Sequence, residues 1–361
     1  MPESKHARSS RRSLPWLAVG AALVVGVLVG GCTGTATSSP TSSATPESPT
    51  TVSACAVTQV ADEVLPSVVT IAASGSGGSG TGSGEVIRSD GYILTNNHVI
   101  SIAAHGGSVE VLFSDGQTEP ATITGRDVQT DLAVLHVQPS RTLKVIALGS
   151  SASVKVGQPV VALGAPLGLS GTVTSGIISA LDRTVEVPAE NDKSALLVSA
   201  MQTDAAINPG NSGGALVNCA GQLIGVPTAG ATVPGSAGGS IGLGFAIPVD
   251  LATTIADELI ATGRVTHAFF GLSTVPIPPA AAAQAGVPEG LYVQAVTPGG
   301  PAAMAGLRAE DVITTIDGQP ATSNLQLQEL TLTKKPGDTV SLGYTRAGHS
   351  ATATVTLGAQ P

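Results

Sequence analysis

The strongest chemical signal in the sequence is a serine enclosed by glycines, in the run NPGNSGG at residues 208–214. A serine hydroxyl is a poor nucleophile unless a base takes its proton and nearby donors stabilise the oxyanion that forms. The glycines let the backbone turn sharply, so that consecutive N–H groups can point to one place beside the Ser212 oxygen. An isolated run of this kind also occurs in ordinary Gly/Asn turns. Here strand-like apolar residues follow at 215–217 and 223–226, which favours a nucleophile loop at the rim of a barrel.

A nucleophilic serine needs a base, and the chain contains six histidines. His98 differs from the others because it follows the run GYILTNN at residues 91–97, where a predicted strand leads into a polar turn. We therefore interpret His98 as the candidate base. The remaining histidines are interpreted as satisfied or exposed side chains, the first of them lost with an N-terminal signal: His6, His105, His136, His267 and His349.

A carboxylate is then needed to hold the imidazole in one tautomer and to stabilise the imidazolium. Asp131 lies where a loop enters the apolar run LAVL at residues 132–135, and an acid so placed is costly to bury unless it is paired. Asp127, four residues earlier, is the alternative, in a more polar turn. Asp131 is the better candidate.

The segments that must position these side chains are short and β-branched. Residues 68 to 246 alternate such runs with Gly, Pro and Asp turns, which predicts an all-β barrel or sandwich. A helical period occurs at Leu251, Ile255 and Leu259, between Pro248 and Gly263. That helix marks a boundary, and the sequence after it has its own turns and predicts a second, smaller domain.

Composition limits the possible partners. The chain has 361 residues and a formal charge of −9, with 11% charged and 2% aromatic side chains. The first 32 residues hold four basic and one acidic side chain, so the remainder carries 12 basic and 24 acidic ones, a charge of −12. An acidic, aromatic-poor body argues against nucleic acid as a partner. Three cysteines without CxxC spacing predict neither a zinc site nor a disulfide scaffold.

The N-terminus has the features of an export signal. Four basic residues precede an apolar run from Leu14 to Gly31, and Cys32 follows directly. The tetrapeptide VGGC at residues 29–32 resembles a bacterial lipobox, which predicts a signal peptide over 1–32, lipid attachment at Cys32 and a membrane-anchored, extracytoplasmic protein. The alternative is a single transmembrane helix. Residues 33–54, rich in Ser, Thr and Pro, are predicted to form a tether.

Together, the segments around His98, Asp131 and Ser212 resemble the HtrA (high-temperature-requirement) family of chymotrypsin-like serine endoproteases. The runs QTDAAINP at 202–209 and GLGFAIP at 242–248 are typical of that family. The resemblance implies a mainly β fold, with a chymotrypsin-like double antiparallel β-barrel over 55–262. It also implies that His98 is the general base, Asp131 its orienting acid and Ser212 the nucleophile, and that the N–H groups of Gly210 and Ser212 form the oxyanion hole.

The resemblance further implies a homotrimer that cleaves misfolded or exposed envelope proteins, without a metal or organic cofactor. Two residues depart from the family pattern. Glu85 stands where an apolar residue is usual, and Pro227 lies in the strand expected to line the cleft. The competing interpretation is a non-catalytic chaperone or scaffold, which the complete set of candidate residues disfavours.

The resemblance continues over residues 263–361 as a small α+β PDZ domain. Phe270, Gly271 and Leu272 resemble its carboxylate-binding loop, which implies that it takes C-terminal peptides as an added strand. The alternative is a generic α+β domain.

Two further predictions concern specificity and cross-linking. In chymotrypsin-like enzymes the residue six positions before the nucleophile lies at the base of the S1 pocket, which here is Ala206, so cleavage after small aliphatic residues is expected. With Cys32 assigned to lipid, Cys55 and Cys219 are left as a possible disulfide outside the cytoplasm. The alternative is two unpaired thiols.

Overall fold

A computed structural model of the chain describes residues 55–165, 171–188, 194–230 and 239–361. The predictions of a signal peptide, of Cys32 lipidation and of a tether up to residue 54 fall outside these residues. Within the described part of the chain, no helix combines the length and the apolar character needed to cross a membrane.

Six strands of the N-terminal half close into a barrel. The strand order is β1-β2-β3-β6-β5-β4, with β4 pairing back to β1, and every pairing is antiparallel. Fully buried Ile71, Ile93, Val111 and Leu135 fill its interior. The strands are β1 (Val68–Gly75), β2 (Gly78–Val86), β3 (Tyr92–Asn96), β4 (Ser108–Leu112), β5 (Thr118–Asp127) and β6 (Leu132–His136).

Strand β2 consists largely of glycine and serine, yet it pairs along its whole length with β1. Two of its four glycines, Gly82 and Gly84, are required by close neighbours, and Gly84 faces the narrow barrel interior. A Cβ atom on Gly84 would lie 2.8 Å from the side chains of Ile71 and Ile93. The composition of β2 favours a loop, and close packing against its neighbours holds it in the sheet instead.

The second sheet also closes. Its order is β11-β8-β9-β10-β13-β12, and β12 pairs with β11 to complete the ring, while the short β7 joins β12 in parallel. The double barrel is therefore confirmed, with one parallel pairing that the sequence did not predict. The strands are β7 (Ala147–Leu148), β8 (Pro159–Gly164), β9 (Thr172–Pro188), β10 (Ser194–Thr203), β11 (Ala215–Val217), β12 (Gln222–Gly230) and β13 (Gly244–Pro248).

Among the described residues, three α-helices accompany the barrels. The predicted helix is observed as α3 (Val249–Thr262), which ends at Gly263 with φ of +76° and packs Ile255 and Leu259 where the two barrels meet. Helix α1 (Val57–Val64) lies against the second barrel, and α2 (Asn97–Ile100) is a single turn where the sequence predicted a polar turn.

The C-terminal unit is a small α+β structure built on a five-stranded antiparallel path, β15-β16-β17-β19-β20, with β15 at its edge. Leu291, Ile313, Leu342 and Val355 form its buried centre. The Ala-rich stretch from Pro301 is helical only to Met304. The elements are β14 (Ala268–Phe269), β15 (Leu272–Ile277), α4 (Pro279–Ala285), β16 (Gly290–Val296), α5 (Pro301–Met304), β17 (Val312–Ile316), β18 (Gln319–Pro320), α6 (Asn324–Thr333), β19 (Thr339–Arg346), β20 (His349–Thr356) and β21 (Gly358–Ala359).

Candidate active site

The structure brings His98 and Asp131 together at the end of the first barrel. Asp131 Oδ2 lies 2.7 Å from His98 Nδ1, and Asp131 Oδ1 accepts the His98 backbone N–H at 2.9 Å. The carboxylate is buried, whereas the imidazole is 39% exposed. Because an ionised carboxylate can only accept, the contact selects the tautomer with a proton on Nδ1 and leaves the Nε2 lone pair available as a base.

Asp131 is held in an unusual backbone conformation. Its φ is +57°, a region that residues with a side chain seldom occupy. Its carbonyl oxygen accepts the Asn97 backbone N–H at 3.0 Å and the Asn96 side-chain amide at 2.8 Å. These two bonds join the loop before β6 to the start of α2, and so align the acid with the histidine.

A third side chain also donates a hydrogen bond to the Asp131 carboxylate, and it could not be predicted from the sequence. The Thr228 hydroxyl, on β12 of the second barrel, donates to Asp131 Oδ2 at 2.6 Å. The Asp131 carboxylate thus receives two bonds from His98, on the side of the first barrel, and one from the second barrel. A threonine in a strand carries no local signal of such a contact, because the partner lies 97 positions away in the chain.

Asp127, the weaker candidate acid, has a different partner. It is the last residue of β5, and its Oδ2 lies 2.9 Å from His267 Nε2. Both side chains are buried. Asp127 therefore does not contact His98, and His267 is a satisfied buried histidine.

Ser212 is positioned by bonds from both barrels. Its carbonyl accepts the Ser83 N–H of β2 at 2.9 Å, and the next residue, Gly213, donates to the Pro227 carbonyl at 2.9 Å. Gly213 has φ of +78°, and a Cβ atom there would collide with Thr95 and the Ser83 carbonyl, so only glycine fits. Pro227, one of the two departures from the family pattern, therefore supports the turn that carries Ser212 through its carbonyl group.

The Ser212 hydroxyl donates to the Thr228 carbonyl at 3.4 Å, and in the described part of the chain it makes no hydrogen bond to His98. The distance is long for an O–H donor, so the bond is weak. Rotation about the serine Cα–Cβ bond redirects this oxygen at little energetic cost.

Two backbone donors beside the serine have no acceptor among the described residues, namely the N–H groups of Gly210 and Ser212. The turn that carries them is fixed by Ser83, whose hydroxyl donates to the Gly210 carbonyl at 2.5 Å and accepts the Ala165 N–H at 2.8 Å. Unpaired donors on a fixed turn suit a developing oxyanion, since they need no reorganisation to bind it.

The residue at the predicted S1 position, Ala206, carries no charge. Ala206 is partly buried, and its carbonyl accepts from Thr174 Oγ1 at 3.0 Å and Asn211 Nδ2 at 3.2 Å. The nearby Asp204 is exposed, and its carboxylate accepts the Ile177 N–H at 2.7 Å. In the described part of the chain, no three His, Cys, Asp or Glu side chains are grouped to hold a metal ion.

Glu85 is enclosed in the first barrel's strand β2, between Val68 of β1 and Leu94 of β3. It is fully buried, and neither carboxyl oxygen has a hydrogen-bond partner among the described residues. Burial raises the pKa of the Glu85 carboxyl well above its usual range, because desolvation disfavours the charged form.

Two further predicted sites lie away from the triad. Cys55 and Cys219 form a disulfide with their Cα atoms 5.1 Å apart. Phe270, Gly271 and Leu272 line one end of a groove between β15 and α6. Asn324 of α6 crosses this groove, donating to the Thr274 carbonyl at 2.8 Å and accepting from its hydroxyl at 2.7 Å.

Family models match two parts of the chain. A "Trypsin-like peptidase domain" covers residues 82–226 and a "PDZ domain" covers residues 268–357.

Known proteins resemble most of the chain. Serine protease PepD of Mycobacterium tuberculosis is 45% identical over 313 residues, which is 84% of this chain and 66% of PepD. Periplasmic pH-dependent serine endoprotease DegQ of Escherichia coli is 42% identical over 281 residues, 77% of this chain and 59% of DegQ. The chain therefore spans about three fifths to two thirds of the length of these relatives.

Solved structures agree in fold over the same part. The HtrA-type protease AlgW with a decapeptide aligns with a TM-score of 0.68 and 33% identity, over 84% of this chain and 99% of AlgW. The serine endoprotease from Yersinia pestis aligns with a TM-score of 0.64 and 34% identity, over 84% and 98% of the two chains.

Proposed function

The chain belongs to the HtrA family of trypsin-like serine proteases with a PDZ domain, and from this we propose that it is a serine endopeptidase acting outside the cytoplasm. The observation that carries the proposal is the His98–Asp131 contact of 2.7 Å, which leaves the Nε2 lone pair available as a base; Thr228, which is hydrogen-bonded to both Asp131 and Ser212, links this pair to the serine. The periplasmic location in the names of DegQ and the DegP-like relatives supports the location.

In the proposed mechanism, the Ser212 hydroxyl leaves the Thr228 carbonyl and donates to His98 Nε2. His98 takes the proton as the serine oxygen attacks the peptide carbonyl, and Asp131 stabilises the imidazolium. The N–H groups of Gly210 and Ser212 bind the oxyanion. His98 then gives the proton to the leaving amine, and a water molecule, activated by the same histidine, releases the acyl group from Ser212.

The test is labelling with a fluorophosphonate, a reagent that reacts only with an activated serine. The wild-type protein should be labelled and should cleave an unfolded protein, whereas Ser212→Ala and His98→Ala should do neither. Absence of both labelling and cleavage in the folded wild-type protein would refute the proposal.

We also propose that the PDZ domain takes the C-termini or hydrophobic segments of substrates, with the N–H groups of Phe270, Gly271 and Leu272 holding a terminal carboxylate. A strand added at the free edge of β15 accounts for the rest of the binding. A peptide with a free C-terminus should bind, and the same peptide with a C-terminal amide should not.

Misfolded or exposed envelope proteins are the proposed substrates. A homotrimer is the proposed assembly, and light scattering of the purified protein measures its mass.

Lipid attachment at Cys32 is proposed from the sequence alone. Cys32→Ala should move the protein from the detergent phase to the aqueous phase in a phase-separation assay. If the variant stays with the detergent, an uncleaved helix is the anchor instead.

A further inference from the structure

The buried pair of Asp127 and His267 has no part in the mechanism above, yet Asp127 lies only four positions before Asp131 in the chain. Asp127 Oδ2 lies 2.9 Å from His267 Nε2 and also accepts the Thr130 hydroxyl at 2.5 Å. Asp127 Oδ1 accepts the Gln129 N–H at 3.2 Å. One carboxylate therefore organises the loop that leads directly to Asp131.

The conformation of Asp131 makes this loop important. Its positive φ is costly for a residue with a side chain, and such a conformation persists only where the surroundings impose it. The bonds from Asn96 and Asn97 hold the Asp131 carbonyl from one side. The bonds to Asp127 hold the residues just before it from the other side.

His267, the other residue of the pair, lies at the start of the PDZ domain. His267 immediately precedes β14, and its carbonyl accepts the Gln360 N–H at 2.9 Å. The Gln360 side chain in turn accepts from Gln129 Nε2 at 2.8 Å. The C-terminal unit thus contacts the 127–131 loop at two points, one buried and one exposed.

We propose that Asp127 and His267 form a clamp between the domains and that His267 is a positioning residue for the triad acid Asp131. In this clamp, His267 Nε2 donates a hydrogen bond to Asp127. The bonds that Asp127 accepts from Gln129 and Thr130 then fix the backbone that leads into Asp131. Loss of the clamp lets the Asp131 carboxylate shift relative to His98 Nδ1. The inference rests on the proposed function, because it describes how the same triad is held.

The substitution His267→Leu in the full chain removes the donor. We expect kcat on a short peptide to fall about tenfold to a hundredfold, the range that misplacement of a reacting group by about 1 Å produces. The KM should stay within twofold, because the peptide site is untouched. His267→Gln, which can still donate to Asp127, should restore most of the rate.

The matched control is Glu329→Gln. It weakens another bond between the domains, in which Glu329 Oε2 accepts the Thr184 hydroxyl at 3.2 Å and no residue of the 127–131 loop takes part. Its kcat should equal that of the wild type. Equal losses in Glu329→Gln and His267→Leu would overturn the inference, as would a folded His267→Leu with the wild-type kcat.

A second readout does not need turnover. The proton shared by His98 Nδ1 and Asp131 should give a far-downfield NMR signal. This signal should broaden or move upfield in His267→Leu and return in His267→Gln.

If His267→Leu fails to fold, His267→Asn replaces it, since the asparagine amide is too short to reach Asp127. A wild-type protein with the signal but without Ser212-dependent cleavage would refute the proposed function alone, whereas an unchanged signal in the folded His267 variant would refute the clamp.

Discussion

Ala206 offers a direct test of specificity at the scale of one residue. No carboxylate lies at its position, and Asp204 is turned to the Ile177 N–H. We expect cleavage after small aliphatic residues such as Val and Ala, with loose discrimination, because one methylene contributes only about 1–3 kcal/mol. Profiling of cleavage sites in an unfolded protein checks this, and sites dominated by Arg or Lys would contradict it.

The substitution Ala206→Asp sharpens the same test. It places a carboxylate at the predicted base of the pocket and should move the preference toward Lys and Arg. The control is Asp204→Asn, which removes the nearby exposed charge and should leave the cleavage pattern unchanged.

Glu85 predicts an unusual dependence of stability on pH. Its pKa is raised in the folded protein, so above the ordinary pKa of about 4.3 the unfolded chain releases a proton that the native protein keeps. The native state then binds more protons, and the free energy of unfolding falls as pH rises, by up to about 1.4 kcal/mol per pH unit. The fall stops only when pH passes the raised pKa of the folded state.

The substitution Glu85→Leu removes this titration. Denaturant unfolding at pH 5 and pH 7 should show that the variant gains stability relative to the wild type as pH rises. Glu110→Leu, at an exposed position on β4, is the control and should leave the pH dependence of the wild type intact. A pH-independent difference between Glu85→Leu and the wild type would show that Glu85 is already ionised or paired.

At the scale of elements, the disulfide holds α1 on the second barrel. Cys55 precedes the helix, and Cys219 lies in the turn between β11 and β12. Closure of a loop across 164 positions restricts the unfolded chain strongly, and removal of such a bridge costs about 2–5 kcal/mol. Thermal unfolding with and without reductant measures this loss.

The control for that measurement is the double substitution Cys55→Ser and Cys219→Ser. Its melting temperature should match the reduced wild type and should not respond to reductant. A free thiol titrated in the folded, unreduced protein would contradict the disulfide.

Elements with a clear pattern could be predicted from the sequence, and those shaped by distant neighbours could not. The period of Leu251, Ile255 and Leu259 predicted α3 because one helical face is apolar. Strand β2 has no such signal, since Gly82 and Gly84 are required by side chains from other elements, Val99 of α2 and Ile71 and Ile93 of the neighbouring strands. At the site, glycines and spacing pointed to Ser212, whereas Thr228 contributes a hydrogen bond that only the folded chain creates.

At the scale of the whole molecule, α6 joins the two domains. Leu332 packs on Leu196 and Val198 of β10, while Leu330 on the same helix packs on the core of the PDZ domain. We expect the protease domain and the PDZ domain to unfold together in one transition, because these contacts couple them. Leu332→Ala should separate it into two transitions, with a loss of about 2–5 kcal/mol.

Calorimetry distinguishes the two roles of the helix. Leu330→Ala is the control, and it should lower the melting temperature of the single transition without dividing it into two. Two transitions in the wild type would contradict the coupling.

The edge strand β15 has a consequence for solubility. Because Asn324 binds the Thr274 carbonyl, the polar groups of Thr274 face the free edge, and those of Pro276, two residues on, face the same way. Proline has no N–H, so the open edge lacks a donor there, and the acceptor at Thr274 is already occupied. Such an edge can still pair with a short peptide at its start, near Leu272, but it is a poor template for a long strand, which disfavours edge-to-edge pairing of these molecules into fibres at high concentration.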